Sequence, residues 1–308
     1  MKFPKITIVV PIYNGSAHLS ETLNSLLSQT FQNFELLAID DGSIDTSSDI
    51  VRSFKDERIR LIRKENGGLC EALNHGIAQA NAPYIARNDQ DDISIPERLD
   101  RQLQVMESHP EAIGLFTYST KFGARNRWSN ADKLVMVPNK LKEYEPMNDG
   151  CLLGSTMFVR TEAVKAVGGF RQPYYPVDDW DLEIRLAEAG KVLVLCEPLV
   201  AYRFQTSANT YRVFSEMQEK ARWTKDSHRR RQQAIPELTF DQFMLAQPMD
   251  LWSRLRRYRK ESSKLHMRTA GQRALDGHYV ASASHLFAGL LFSPANMLGR
   301  LKRYLFHV

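Results

Sequence analysis

The run Ile6-Thr7-Ile8-Val9-Val10, closed by Pro11, is short, mostly β-branched and apolar, the pattern of a strand buried on both faces. Leu19, Leu23, Leu26 and Leu27 then recur at helical spacing and predict a helix of about three turns with one apolar stripe. Phe34 to Ile39 reads as a second strand, Asp45 as the cap of a helix through Phe54, and Ile59 to Ile62 as a third strand. Asn66-Gly67-Gly68 makes a turn before a helix over Leu69 to Ala80, and Pro83-Tyr84-Ile85-Ala86 opens a fourth strand that runs into acidic residues. Strands alternating with helices predict an α/β fold with a mostly parallel central sheet and helices on both faces.

Further along, the pattern predicts a helix from Pro96 to Ser108, a strand over Ile113 to Tyr118 and an irregular polar stretch from Lys121 to Glu145. Ser155 to Arg160 is strand-like, Thr161 caps a short helix ending at Gly168-Gly169, and Asp181 to Ala189 has helical periodicity. Val192 to Leu195 and Leu199 to Phe204 read as closing strands. Past about Tyr211 the strand signals stop and long helical stretches with arginine clusters take over, which divides the chain into residues 1–211 and a helical region over 212–308.

Charge sharpens that division. Residues 1–211 hold 23 Lys/Arg and 28 Asp/Glu, whereas 212–308 hold 18 and 8, so the first part is acidic by 5 and the second basic by 10. An acidic first part is a poor nucleic-acid surface. The runs Arg229-Arg230-Arg231 and Arg254 to Lys260 read either as solvated helix faces or as contacts for an anionic membrane surface, with Trp252, Tyr258, Leu286, Phe287, Leu290, Leu291 and Phe292 as apolar anchors. Three scattered cysteines, Cys70, Cys151 and Cys196, suit a reducing compartment and read as small buried hydrophobes. Lys2 and Lys5 precede no apolar stretch of signal-peptide length, and no run of about 18 apolar residues occurs, so secretion and membrane spanning are not expected.

In an open parallel sheet, ligands bind beyond the carboxyl ends of the strands. Three such ends are polar here: Pro11-Ile12-Tyr13-Asn14, Asp40-Asp41-Gly42-Ser43 and Asn88-Asp89-Gln90-Asp91-Asp92. Neither G-x-G-x-x-G nor G-x-x-x-x-G-K-[ST] occurs, which disfavours the common dinucleotide and P-loop sites. Carboxylate takes the place of glycine. Asp89 and Asp91, two residues apart at a strand end, can aim at one hard cation such as Mg2+ or Mn2+, which in turn would clamp a diphosphate. Asp40-Asp41 on the same rim and Asp178-Asp179 far along the chain add to the cluster, and like charges brought together need a cation or a proton.

With these strings in order, the chain resembles the family-2 glycosyltransferases of the GT-A fold, inverting enzymes that build bacterial polysaccharides. The resemblance rests on Val9 to Gly15, Ile39 to Ser43 with Asp45-Thr46, Asn66-Gly67-Gly68 through Leu73 to Ile77, Ala86 to Asp92, and Asp178-Asp179-Trp180-Asp181-Leu182 with Arg185, and so spans about residues 6–204. It implies transfer of a sugar from a nucleoside-diphosphate donor, a UDP-sugar foremost, to a hydroxyl of a glycan or glycolipid at the inner face of the bacterial membrane. By that resemblance Pro11, Tyr13, Asn14, Asp41, Asn66 and Gly67 hold the base and ribose with Asp40 in support, Asp89 meets the ribose or metal, Asp91 ligates the Mn2+ or Mg2+, and Asp179 is the general base. Asp178 stands where the family commonly has Glu, which keeps Asp178 a second candidate base, and Asn88 stands where an apolar residue is usual. Arg203, with Ser207 and Asn209, falls where the family often has a loop that folds over the diphosphate.

Two other classes stay open on the residues alone. A sugar-phosphate nucleotidyltransferase would want a basic, glycine-rich loop after the first strand, and Pro11 to Gly15 has no Lys or Arg. A non-catalytic glycan- or membrane-binding module would not need the intact Asp89, Asp91 and Asp179. His18 and His75 read as capping or surface residues, and Trp180 either stacks on an acceptor sugar or fills core.

Overall fold

The computed structural model describes residues 3–122, 140–203, 211–247, 251–275 and 277–293. Most of the polar stretch from Lys121 to Glu145, together with Ser207 and Asn209, lies outside them. They divide into two compact units, one drawn from residues up to Lys121 and from 140 to Arg203, the other from Phe122 and from 211 onward.

The first unit begins with β1 (Ile6–Ile12), α1 (Leu19–Leu27), β2 (Phe34–Asp40), α2 (Ser47–Ser53), β3 (Ile59–Arg63), α3 (Leu69–Gln79) and β4 (Tyr84–Arg87). The four strands lie side by side as β3-β2-β1-β4, all parallel. Alternate residues of β1 explain why it is apolar throughout. Ile6, Ile8, Val10 and Ile12 pack with Leu19, Leu23 and Leu26 of α1 on one face, while Val9 joins Leu37, Ile39, Leu73 and Ile77 on the other.

The chain continues through β5 (Ile93–Ser94), α4 (Arg98–Ser108), β6 (Ala112–Phe122), β7 (Leu141–Glu143), α5 (Pro146–Asp149), β8 (Phe158–Arg160), α6 (Thr161–Ala166), α7 (Asp178–Ala189) and β9 (Lys191–Arg203). Beyond β4 the sheet runs β8-β6-β9-β5, with β7 also on β9. The pairs β4–β8, β6–β8, β5–β9 and β7–β9 are antiparallel, so the parallel strands form the core and antiparallel strands extend it.

The elements differ from the sequence pattern in several places: Ser155 and Thr156, read as strand, lie in a 3-10 turn before β8, and Leu141–Glu143, read as irregular, form β7. Val192–Leu195 and Leu199–Arg203 are one strand, Phe204 lying outside the described residues: β9 pairs with β7 at Leu193–Leu195 and with β5 at Val200–Ala201, and Pro198, which has no amide hydrogen to donate, sits between these two partners. The third acidic cluster lies inside α7, whose first turn is Asp178-Asp179-Trp180-Asp181, rather than ahead of a helix starting at Asp181. Asp45 stands one residue before Thr46, the cap position of α2, and accepts from the Ser47 amide at 3.0 Å.

The second unit is helical where it is described: α8 (Tyr211–Gln232), α9 (Phe240–Leu245), α10 (Leu251–Leu275) and α11 (Tyr279–Phe292). Thr239 and Gln242 close a reciprocal capping box at the start of α9. Arg229 and Arg230 pair with Asp226 on the same helix, and Arg231 pairs with Glu237 in the segment that follows it. Among the described residues, no helix is long and apolar enough to cross a membrane.

Candidate active site

The strand ends converge through cross-loop hydrogen bonds. After β1 the chain turns at Asn14, whose φ of 49° lies in the left-handed region that asparagine tolerates. The Asn14 amide donates to Ser43 Oγ at 3.1 Å, its Oδ1 accepts from the Ile44 amide at 2.9 Å, and the Ser16 amide donates to Asp45 Oδ2 at 3.0 Å. Burial works against the charge of Asp45, yet the hydrogen bonds from Ser47 and Ser16 pull its carboxyl down to about 2. Asn14 is thereby a loop fastener, and Tyr13, 49% exposed, is left facing outward beside Pro11.

The two acids at the end of β2, Asp40 within it and Asp41 just past it, do different work. Asp40 is buried, accepts from the Ser43 amide at 2.8 Å and from Ser48 Oγ, and lies 3.8 Å from Arg63. Burial opposes its charge, but these hydrogen bonds keep its carboxyl below the usual range. Asp41 accepts from the amides of Gly67 and Gly68 at 3.0 and 2.8 Å and from Lys64 Nζ at 2.8 Å, while Asn66 Nδ2 donates to its carbonyl at 2.9 Å. Gly68, with φ of 90°, presents its amide to that carboxylate at the start of α3, where the helix dipole favours an anion.

The third end is the acidic turn after β4. Asn88 is fully buried: its Oδ1 accepts from Ser94 Oγ and Arg98 at 2.9 Å each, and its Nδ2 donates to the carbonyls of Asp89 and Asp92. An amide rather than an apolar side chain stands here because it closes the turn from inside. Asp92 accepts from Ser155 Oγ at 2.6 Å and from the Arg203 amide at 3.0 Å, and burial next to Asp89 and Asp91 pushes its carboxyl well up. Arg203 Nε donates to the Asp91 carbonyl at 3.0 Å, and its guanidinium pairs with Glu21. Gln90 exchanges hydrogen bonds with the Tyr13 main chain, 2.9 Å to its amide and 3.1 Å to its carbonyl, tying the first loop to the third.

A cleft of about 460 Å³ opens between these ends. It is lined by Pro11, Tyr13, Asp41, Asn66, Asp89 and Asp91 from the sequence-predicted set, while Asn14, Asp40, Gly67 and Arg203 lie outside the lining and hold its walls. Gln90, Gln172 and Tyr175 also line it, and the pattern gave no sign of the last two.

α7 brings Asp178 and Asp179 toward the acidic turn, with Arg87 between the two groups. The guanidinium is buried, donates to Asp89 at 2.9 and 3.3 Å, stands 4.0 Å from Asp179 and lies over the Phe170 ring at 5.3 Å. Gly154 gives it room: a Cβ there would stand 2.4 Å from the terminal nitrogen. That nitrogen, Nη1, is buried with no hydrogen-bond partner. Asp178 is buried and its Oδ2 has no hydrogen-bond partner, whereas the Asp179 side chain keeps 25% of its surface. Burial lifts the Asp179 carboxyl to about 7, with Arg87 opposing and Asp178 and Asp89 adding to the rise. Glu183, one turn further on, is buried against the Tyr144 hydroxyl and the Leu152 amide, and burial keeps it protonated well above the usual range. Trp180 lies in the interior.

Among the described residues no three His, Cys, Asp or Glu side chains gather as a ready-made cation cage. The donor set at Asp89 and Asp91 still fits Mg2+ or Mn2+, which take one or two carboxylates and fill the rest with water and substrate phosphate. Of the two, Asp89 already shares its carboxylate with Arg87.

A twisted sheet with parallel strands at its core, carboxylates at their ends and a further acid beside the cleft has the GT-A architecture. The family model described as glycosyl transferase family 2 matches residues 7–168. The chain belongs to glycosyl transferase family 2. Putative glycosyltransferase EpsE of Bacillus subtilis is 32% identical over 197 residues, 61% of this chain and 68% of EpsE. An uncharacterized glycosyltransferase of Rickettsia felis is 26% identical over 223 residues, which cover 70% of this chain but only 37% of that protein. Among solved structures, S. aureus TarS 1-349 in complex with UDP-GlcNAc superposes with a TM-score of 0.58 at 17% identity, covering 96% of this chain and 92% of TarS 1-349. At that identity the likeness speaks for the fold.

Proposed function

We propose that this glycosyltransferase moves a sugar from a UDP-sugar to a hydroxyl of a glycan or glycolipid, with inversion at the anomeric carbon, in building cell-surface polysaccharide at the inner face of the cytoplasmic membrane. The observation that carries the reading is the juxtaposition of a cleft lined by Asp41, Asn66, Asp89 and Asp91 with an accessible, proton-hungry Asp179 held 4.0 Å from Arg87. UDP and UDP-GlcNAc occupy TarS structures of the same fold, which makes uridine the first base to try.

In this reading the catalytic domain covers residues 1–211 and the helical region 212–308 serves the acceptor or the membrane. Pro11 and Tyr13 give the base an apolar surface, and Asp41 and Asn66 face the base and ribose, while Asp40, Asn14 and Gly67 keep those loops in place. Asp91, with Asp89 beside it, would hold Mn2+ or Mg2+, which when bound supplies Lewis-acid stabilisation of the departing diphosphate. Arg203 supports that site by fixing the Asp91 carbonyl. An Asp179 carboxylate oxygen takes the proton of the acceptor hydroxyl as it attacks, and Asp178, with its carboxyl in the interior, orients the first turn of α7.

The test is release of UDP from a panel of UDP-sugars, mixed with a lipid extract as acceptor, with Mn2+ or with chelator. One sugar should dominate, and release should need both the extract and the cation. Release from none of them, alongside release from a GDP- or dTDP-sugar, would move the donor assignment to that base.

A further inference from the structure

The last described helix of the second unit, α11, carries an outward face of unusual composition. The 14 residues of α11 include no Asp, Glu, Lys or Arg. Its inward side is satisfied by α10: Ser282 Oγ donates to the Ala270 carbonyl at 2.8 Å, His285 meets His266 with their Nδ1 atoms 3.0 Å apart, and Phe292 stacks on His266 with centroids 5.4 Å apart. Its outward side repeats Val280, Phe287 and Leu291 at spacings of seven and four, one stripe on a helix, and these are 87%, 64% and 65% exposed. Single exposed apolar residues need no explanation, but a contiguous stripe does.

The flank of that stripe is basic and aromatic. Arg259 Nε donates to the Phe292 carbonyl at 3.0 Å and Tyr258 packs edge-on to the Phe292 ring at 6.0 Å, so a guanidinium and a phenol sit at the carboxyl end of α11. Arg256 and Lys260 are exposed on the same stretch of α10, and Trp252 there is 69% exposed. Residues 251–293 hold eight Lys/Arg against Glu261 and Asp276, and Glu261 is buried against Ser215 and Arg222.

Length decides how such a helix meets lipid. Fourteen residues at about 1.5 Å each reach roughly 21 Å, short of a hydrocarbon core of roughly 30 Å, so α11 can lie in the interface and cannot cross it. Apolar residues on one side, aromatic residues at the rim and cations beside them fit the boundary between acyl chains and anionic headgroups. A second copy of this face would set cation against cation. We propose that the α10–α11 hairpin binds the surface of an anionic lipid bilayer, with Phe287 and Leu291 among the acyl chains and Arg256, Arg259 and Lys260 at the phosphates.

The test is co-sedimentation of the full chain with phosphatidylcholine vesicles, with and without phosphatidylglycerol, for the wild type and a Phe287→Glu/Leu291→Glu variant. Both side chains are exposed, so the thermal melt and UDP affinity should be unchanged. The wild type should bind only the anionic vesicles, less at high salt, and the variant should lose about tenfold or more in vesicle affinity. Equal binding of the two chains, binding to neither vesicle, or a wild-type dimer that the variant dissolves would overturn the proposal, the last by showing a second copy on this face. Vesicle binding requires neither nucleotide nor acceptor, so either result leaves the transfer reading where it stood.

Discussion

Replacing Asp179 with Asn should lower transfer by about 10²–10⁴-fold while making the protein more stable at alkaline pH. The two effects share one cause. Burial lifts the Asp179 carboxyl to about 7, whereas in the unfolded chain it ionises near its ordinary value of 3.8. Between those values the unfolded chain releases a proton that the native state retains, so this group's contribution to stability falls as pH rises through that window and is flat above it. Each pH unit in the window corresponds to about 1.4 kcal/mol at most. Asparagine has the shape of the protonated acid and never ionises. Its Tm advantage should therefore be largest at pH 8 and shrink toward pH 4, while UDP affinity stays within about twofold, because Asp179 lies outside the cleft lining. An equal loss of UDP affinity and turnover would instead make Asp179 a donor-binding residue. The wild-type rate should rise with pH and level off above about 7, the signature of a base that must lose its proton.

Arg87→Met should damage both fold and chemistry. Its guanidinium is the buried cation shared by Asp89 and Asp179, with Asp178 close enough to feel it. Taking away one partner of a buried ionic group costs about 3–5 kcal/mol, because the carboxylates left behind keep their charge or must take up protons. Melting by calorimetry should show the loss directly. In the protein that still folds, the acidic limb of the pH–rate profile should move to higher pH, since the positive charge that held Asp179 down is gone. Arg87→Lys should recover part of the stability but not the forked contact to Asp89. An unchanged melt and an unchanged limb would mean that Arg87 is packing alone.

The parts of the molecule that follow from local pattern were legible in the chain. β1 reads as doubly buried because each of its faces has its own helix, and the acids after β2 and β4 read as a rim because parallel strands put their ends together. Roles that depend on distant partners were not. Asp40 and Asp41 look alike in sequence, yet one turns inward to Ser43 and Ser48 and the other to the Gly67-Gly68 amides. Arg87 reads as one more charge at a strand end until α7, over ninety residues later, brings Asp179 beside it. Gln172 and Tyr175 reach the cleft from a short 3-10 turn, Gln172–Tyr174, and the residue after it, a stretch whose composition carries no periodic signal. The start of α7 was recoverable, since acids crowd the first turn of a helix where its dipole favours them, and Asp178-Asp179-Trp180-Asp181 is such a turn.

The central claim is a cation-assisted nucleotide site in the cleft, and calorimetric titration with UDP, GDP and dTDP, each with Mn2+ and with chelator, tests it most directly. The account predicts that UDP binds, that binding weakens by about tenfold or more with chelator, and that Asp91→Ala binds UDP equally weakly under both conditions. Binding of no nucleotide under any condition, or full Mn2+-dependent binding in Asp91→Ala, would contradict it.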